Sequence, residues 1–133
     1  MDYLHPALDD AAIARMSSLA LAHVGDAVYE VLVRAYLACG GAQTAKNLHS
    51  RTVALVRASA QAAAAQRILP LLYEQEQAVY RHGRNAKPKT VPRSASGAEY
   101  AQATALEALF GWLYLRQRYD RINELFGVIA QDF

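Results

Sequence analysis

Residues 21–37 read LAHVGDAVYEVLVRAYL, and the spacing of their apolar side chains decides the fold class. At about 100° per residue, Leu21, Val24, Val28, Val31, Leu32 and Ala35 gather on one side, while His23, Asp26, Glu30 and Arg34 form a stripe on the other. That period predicts a long amphipathic helix, capped by Ser17 or Ser18, reaching about residue 38 and stopped by Gly40 and Gly41. Working outward, the same signals predict a helix over 6–16 opened by Pro6, and another over 44–67 with a break near 47–52, where Thr52 offers an N-cap. Further helices are expected over 70–82, opened by Pro70 and ended by Gly83, and over 96–118, begun by the Ser96-x-x-Glu99 capping box. A last one, capped by Asp120, runs nearly to residue 133. Residues 84–96, RNAKPKTVPRSAS, carry two prolines and read as a loop. The expectation is an all-α protein of one domain over residues 1–133.

Composition agrees with that reading. Of 133 residues, 27 are alanine, 7 glycine and 4 proline, a bias toward helix and away from turn-rich β architectures. With 53% hydrophobic residues the chain can bury one core and is too short for two comfortable ones. The lone Cys39 excludes an internal disulfide framework and a multi-thiolate zinc site, and it fits a reducing cytoplasm. No apolar run approaches the roughly 20 residues needed to span a bilayer. The first twelve residues hold three aspartates and no basic residue, the reverse of a secretory leader, so neither membrane nor export is expected.

The net charge of +2 conceals a strong polarity. Residues 31–98 hold ten basic side chains against the two acids Glu74 and Glu76, a net of +8, and the remainder of the chain nets −6. A basic middle flanked by acids suggests a polyanion surface beside a carboxylate site. Arg81, Arg84, Asn85, Lys87 and Lys89 are the best candidates to grip such a polyanion, and Lys46, His49, Arg51 and Arg57 extend that surface; the competing reading is a solvated loop. Basic side chains with an amide donor suit recognition of a nucleic acid by its backbone and shape rather than its sequence.

Two acids sit in apolar company. Asp26 lies inside LAHVGDAV, and Glu107 inside ATALEALFGWLYL, where burial is costly without a cation, a proton or a donor. Each has a glycine close by, Gly25 and Gly111, and a mid-helix glycine is readily explained by close packing of another helix. Two such acids invite a shared hard cation such as Mg²⁺. An ordinary surface helix with i, i+4 pairs such as Glu30 with Arg34 is the alternative for Asp26. His23, one turn before Asp26, is a candidate proton relay or a plain surface histidine.

At these residues a resemblance becomes specific. LAHVGDAVYEVLVRAYL resembles the signature helix of the ribonuclease III family, and ALEALFGWLYL (105–115) is similar to that family's second acidic helix. AKNLHSRTVALVRASAQA (45–62) and YRHGRNAKPKTVPRSASGAEYAQAT (80–104) are similar to the linking segments of its Mini-ribonuclease III branch. The likeness spans nearly the whole chain in order, and nothing after Phe133 would form a separate double-stranded RNA-binding domain.

The resemblance implies an all-α ribonuclease III endonuclease-domain fold, homodimeric, with Mg²⁺-dependent cleavage of double-stranded RNA, Mn²⁺ as a substitute ion, and products with 5′-phosphate ends. It implies maturation of the large-subunit (23S) ribosomal RNA precursor, with a large-subunit ribosomal protein as a further partner. Asp26 and Glu107 match the family's catalytic, metal-anchoring acids. Two further acids of full-length members fall here at Ala22 and Thr104, so Thr104 is at most accessory. A homodimer is expected on physical grounds too, because one acidic site addresses one strand and opposed cutting requires two sites across a two-fold axis. The alternatives are a catalytically inactive RNA-binding member of the same fold and, as a different class, a helical adaptor binding protein through its tyrosine-rich faces.

Overall fold

The computed structural model describes residues 1–41, 43–86 and 96–133. Among them run seven α-helices, α1 (Asp10–Ala14), α2 (Ser18–Cys39), α3 (Ala45–Val56), α4 (Ala58–Ile68), α5 (Glu74–Asn85), α6 (Gly97–Leu115) and α7 (Tyr119–Ala130), with one 3₁₀ turn at Leu69–Leu71 and no strand among the described residues. Short polar side chains start four of them. Asp9, Ser17, Thr44 and Ser96 accept from the backbone N–H three residues on, at 2.7, 3.1, 3.1 and 3.0 Å, satisfying amides that a helix start leaves unpaired.

Helix α6 is the axis of the molecule. Between residues 103 and 115 only Glu107, Trp112 and Tyr114 are not fully buried, and a helix that is apolar or small on every side must be surrounded. Helices α2, α4, α5 and α7 pack around it. The core closes on an edge-to-face aromatic chain, with Tyr29 5.5 Å from Phe110 and 5.8 Å from Phe126, and Phe126 5.7 Å from Phe133 between ring centroids. Beneath α7, the guanidinium of Arg121 donates to both carboxylate oxygens of Glu76 at 2.9 and 2.8 Å, with side chains only 3% and 5% exposed.

All-α architecture and the α2 boundaries are as the sequence predicts. Several other expectations are corrected. The α2 face that meets the core is Ala22, Gly25, Tyr29, Val33 and Leu37 along with Leu21, whereas Val31 is 64% exposed and Val24, Val28 and Leu32 only half-buried. The small residues take the crowded side because only they permit the close approach to α6. Pro6 precedes the first helix, and Asp9 caps it. The break in the third stretch falls at Arg57, whose extended backbone separates α3 from α4; Thr52 lies within α3 and donates to the Leu48 carbonyl at 2.8 Å. Pro70 belongs to the 3₁₀ turn, and Tyr73 is the N-cap of α5.

Gly83 does not end α5, which continues through Arg84 and Asn85. A Cβ on Gly83 would stand 3.0 Å from Ala105 Cα and Ala108 Cβ, so its glycine serves packing on α6. Helix α6 ends at Leu115 because Gln117 turns to φ 60°, and Arg118, not Asp120, is the N-cap of α7. Of the expected loop at 84–96, residues 87–95 lie outside the described residues.

Candidate functional site

The site begins with two glycines. A Cβ on Gly25 would lie 1.6 Å from the Glu107 carbonyl oxygen and 2.7 Å from the Gly111 nitrogen, and one on Gly111 would lie 2.0 Å from the Leu21 carbonyl oxygen. Helices α2 and α6 therefore touch backbone to backbone, a crossing open only to glycine on both sides. Asp26 follows Gly25 and Glu107 precedes Gly111 by one turn, so the crossing brings the two carboxylates together at its edge.

Glu107 is half-buried and Asp26 exposed. Burial, and then the charge and shared hydrogen bond of Asp26, push the Glu107 carboxyl up to about 8. The Gln61 amide works the other way, donating from Nε2 to Glu107 Oε2 at 3.3 Å. Near neutral pH the pair thus holds a proton in place of one negative charge, and a cation bound between the carboxylates would displace it.

Does this donor set suit a divalent ion? Two hard carboxylates fit Mg²⁺ or Mn²⁺, with water and a substrate phosphate completing the shell. Beside them Gln61 Oε1 is buried without a hydrogen-bond partner, an acceptor that a hydrated cation would satisfy. Among the described residues no group of three or more His, Cys, Asp or Glu forms a cage. The two positions where further acids would stand are apolar or occupied otherwise: Ala22 is buried in the core beside Ala108, and the buried Thr104 hydroxyl donates to the Tyr100 carbonyl at 3.0 Å.

The remaining candidates separate into three places. Arg81, Arg84 and Asn85 are exposed on the last turns of α5, and Gly83 seats that end against Ala105 and Ala108, the α6 residues that bracket Glu107. Neither arginine makes an ion pair among the described residues. Lys87 and Lys89 lie outside the described residues. Lys46 and His49 are exposed on α3, where His49 faces Arg34 across a cleft between α2 and α3. His23 is exposed and borders an apolar groove of about 530 Å³, lined also by Leu4, Val24, Val28, Val31 and Tyr114.

Two features escaped the sequence reading. The groove holds the valines expected in the core. Gln61 was hidden in ASAQAAAA (58–65), where its only signal was a single amide among small apolar residues.

Comparison with known proteins gives a concordant result. The Ribonuclease III domain profile matches residues 19–118. A Mini-ribonuclease 3 of Symbiobacterium thermophilum is 46% identical over 112 residues, covering 84% of this chain and 86% of that protein. One from Enterococcus faecalis is 41% identical over 113 residues, covering 84% and 86%. A crystal structure of a Fusobacterium nucleatum protein superposes with a TM-score of 0.82 at 32% identity, covering 90% of this chain and 96% of that one.

Proposed function

The chain belongs to the ribonuclease III family, on its Mini-ribonuclease 3 branch, and from that premise we propose that it is a Mg²⁺-dependent endoribonuclease that cuts double-stranded RNA at Asp26 and Glu107. The observation that carries the proposal is the glycine crossing, which sacrifices side chains on both helices to set the poorly compensated Glu107 carboxylate beside Asp26. A structural role would not require that arrangement, since carboxylates without a cation beside them destabilise a fold.

Asp26 and Glu107 would hold the ion, and Mn²⁺ would replace Mg²⁺ with the same oxygen ligands. An ion held by these two carboxylates would supply positive charge to the scissile phosphate and lower the pKa of water, chemistry expected to leave 5′-phosphate and 3′-hydroxyl ends. Arg81, Arg84 and Asn85, continued by Lys87 and Lys89, bind the duplex through phosphates and 2′-hydroxyls. Lys46 and His49 extend the contact along α3. His23, one turn before Asp26 and at the rim of the groove, is an accessory candidate for proton relay, and Thr104, held to its own helix, is accessory at most.

The single domain acts as a homodimer, two copies meeting across the apolar groove of α2, which exposes Val31 and a face that the core leaves uncovered. Each copy then cuts one strand. The Mini-ribonuclease III resemblance supports the large-subunit (23S) ribosomal RNA precursor as the proposed substrate and a large-subunit ribosomal protein as a proposed further partner.

Purified protein incubated with duplex and single-stranded RNA, with Mg²⁺ or a chelator, tests this reading. Cleavage of duplex alone, dependent on Mg²⁺ and leaving 5′-phosphates, is expected. Duplex binding without cleavage under Mg²⁺ and Mn²⁺ would instead favour the inactive RNA-binding member, a reading to which Ala22 and Thr104 lend weight. Dimers of one wild-type and one Asp26→Asn copy should nick a single strand; a monomer that cuts both strands would contradict the two-site arrangement.

A further inference from the structure

We propose that Gln61 is a positioning residue for divalent-cation binding at Asp26 and Glu107, an inference that rests on the reading above. Gln61 is 3% exposed, and its amide nitrogen is committed twice, to the Val56 carbonyl at 2.8 Å and to Glu107 Oε2 at 3.3 Å. Both hydrogens of the amide are spent, which settles its orientation: turned over, it would set an oxygen against two acceptors.

The anchor comes from the break between helices. Arg57 leaves helical geometry and the chain turns from α3 into α4, so the carbonyl of Val56, in the last turn of α3, lacks a helical partner. Gln61 fills that need from the first turn of α4 and is thereby fixed to the backbone by the shorter of its two bonds. With the amide fixed, its second hydrogen holds Glu107 Oε2 toward α4 and leaves Oε1 without a bond from Gln61. Gln61 Oε1, buried and unpartnered, lies one amide width from the Glu107 contact and can accept from a water of a hydrated cation. A residue that only capped α3 would need neither the contact with Glu107 nor a buried acceptor at the edge of the carboxylate pair. The proposed chain of support runs from helix break to amide to carboxylate, and outer-shell partners of this kind set ligand orientation and metal affinity.

Mn²⁺ binding to the RNA-free protein, followed by electron paramagnetic resonance, tests the inference without reference to activity. Wild type, Asp26→Asn, Gln61→Met and Gln61→Asn are compared, together with Ile129→Val, a core truncation on α7 that controls for lost stability. The Mn²⁺ dissociation constant should rise about tenfold or more in Gln61→Met. Gln61→Asn, too short to reach both acceptors, should move in the same direction, and it carries the test if the methionine variant does not fold. Ile129→Val should bind as wild type. Wild-type affinity in both Gln61 variants alongside lost binding in Asp26→Asn would overturn the role of Gln61 and leave the functional reading standing. An equal loss in Ile129→Val would overturn it as well. Absence of Mn²⁺ binding by the wild type would overturn both.

Discussion

Glu76 on α5 and Glu107 on α6 are both withdrawn from solvent, and their surroundings could hardly differ more. Burial alone would raise the Glu76 carboxyl, but two hydrogen bonds and the charge of Arg121, with a third bond from the Tyr73 amide at 2.9 Å, hold it below its ordinary value. Arg121 spends its other donors on the Leu71 carbonyl and Glu124, with its guanidinium 4.2 Å from the Tyr73 ring centroid. Glu107 has one amide hydrogen at 3.3 Å and a second carboxylate as neighbour, and its carboxyl is pushed up to about 8. Burial works against the charged form of the same side chain in both places. Where the donor set is closed, the acid locks α5 to α7; where it is left open, the acid carries a raised pKa, and the proposed cation would complete its surroundings.

The contrast can be broken from either side. Gly25→Ala should have the largest effect, because its Cβ would meet the Glu107 carbonyl oxygen at 1.6 Å and no rotamer change relieves a backbone overlap. We expect a cost above the about 1–3 kcal/mol of ordinary overpacking, seen as loss of near-ultraviolet circular dichroism and of cooperative unfolding. The Glu76 lock would be left without damage of its own. Arg121→Met strikes the other side: it strands a buried carboxylate, and urea unfolding at pH 7 should show a loss of about 3–5 kcal/mol. Most of that loss should return when Glu76→Met is added, since the pair is then replaced by apolar volume.

A titration sharpens the comparison, since the two acids respond to pH with opposite sign. Glu76, depressed in the folded state, contributes stability above its ordinary range that is lost as pH falls. Glu107, raised from 4.5 to about 8, binds its proton more tightly folded than unfolded, so the cation-free protein should lose stability as pH climbs between those values. In chelator, Glu107→Gln should therefore be more stable than wild type at pH 8, by on the order of 1–3 kcal/mol, and equal to it by pH 4. A variant less stable than wild type at pH 8 would refute the assignment. The smallest effect belongs to the exposed end of α5. Arg84→Ala should weaken duplex binding at moderate salt and reduce the slope of log affinity against log salt by about 1. An unchanged slope would move the RNA surface elsewhere.

Much of this site could be read in the chain. An acid with a glycine beside it on each of two apolar helices announced both the crossing and the pair, because a backbone contact and a desolvated charge leave marks on local composition. The face of α2 was harder. Val24, Val28, Val31 and Leu32 are apolar in period, and periodicity does not say which of two apolar faces meets a neighbour inside the domain and which borders a groove. Gly83 read as a helix end for a related reason: its use depends on Ala105 and Ala108, more than twenty residues away. The α3 to α4 break at Arg57 has no proline or glycine to mark it. Gln61 serves a carbonyl five residues behind and a carboxylate 46 ahead, a coincidence that exists only in the folded chain.

Whether Asp26 and Glu107 together make a cation-dependent cutting site is decided by single-turnover cleavage of end-labelled duplex RNA by Asp26→Asn across a Mg²⁺ titration. Cleavage should fall by about 10³-fold or more at every Mg²⁺ concentration, with duplex affinity in chelator within about twofold of wild type. Cleavage near the wild-type rate with the ordinary Mg²⁺ dependence would contradict it.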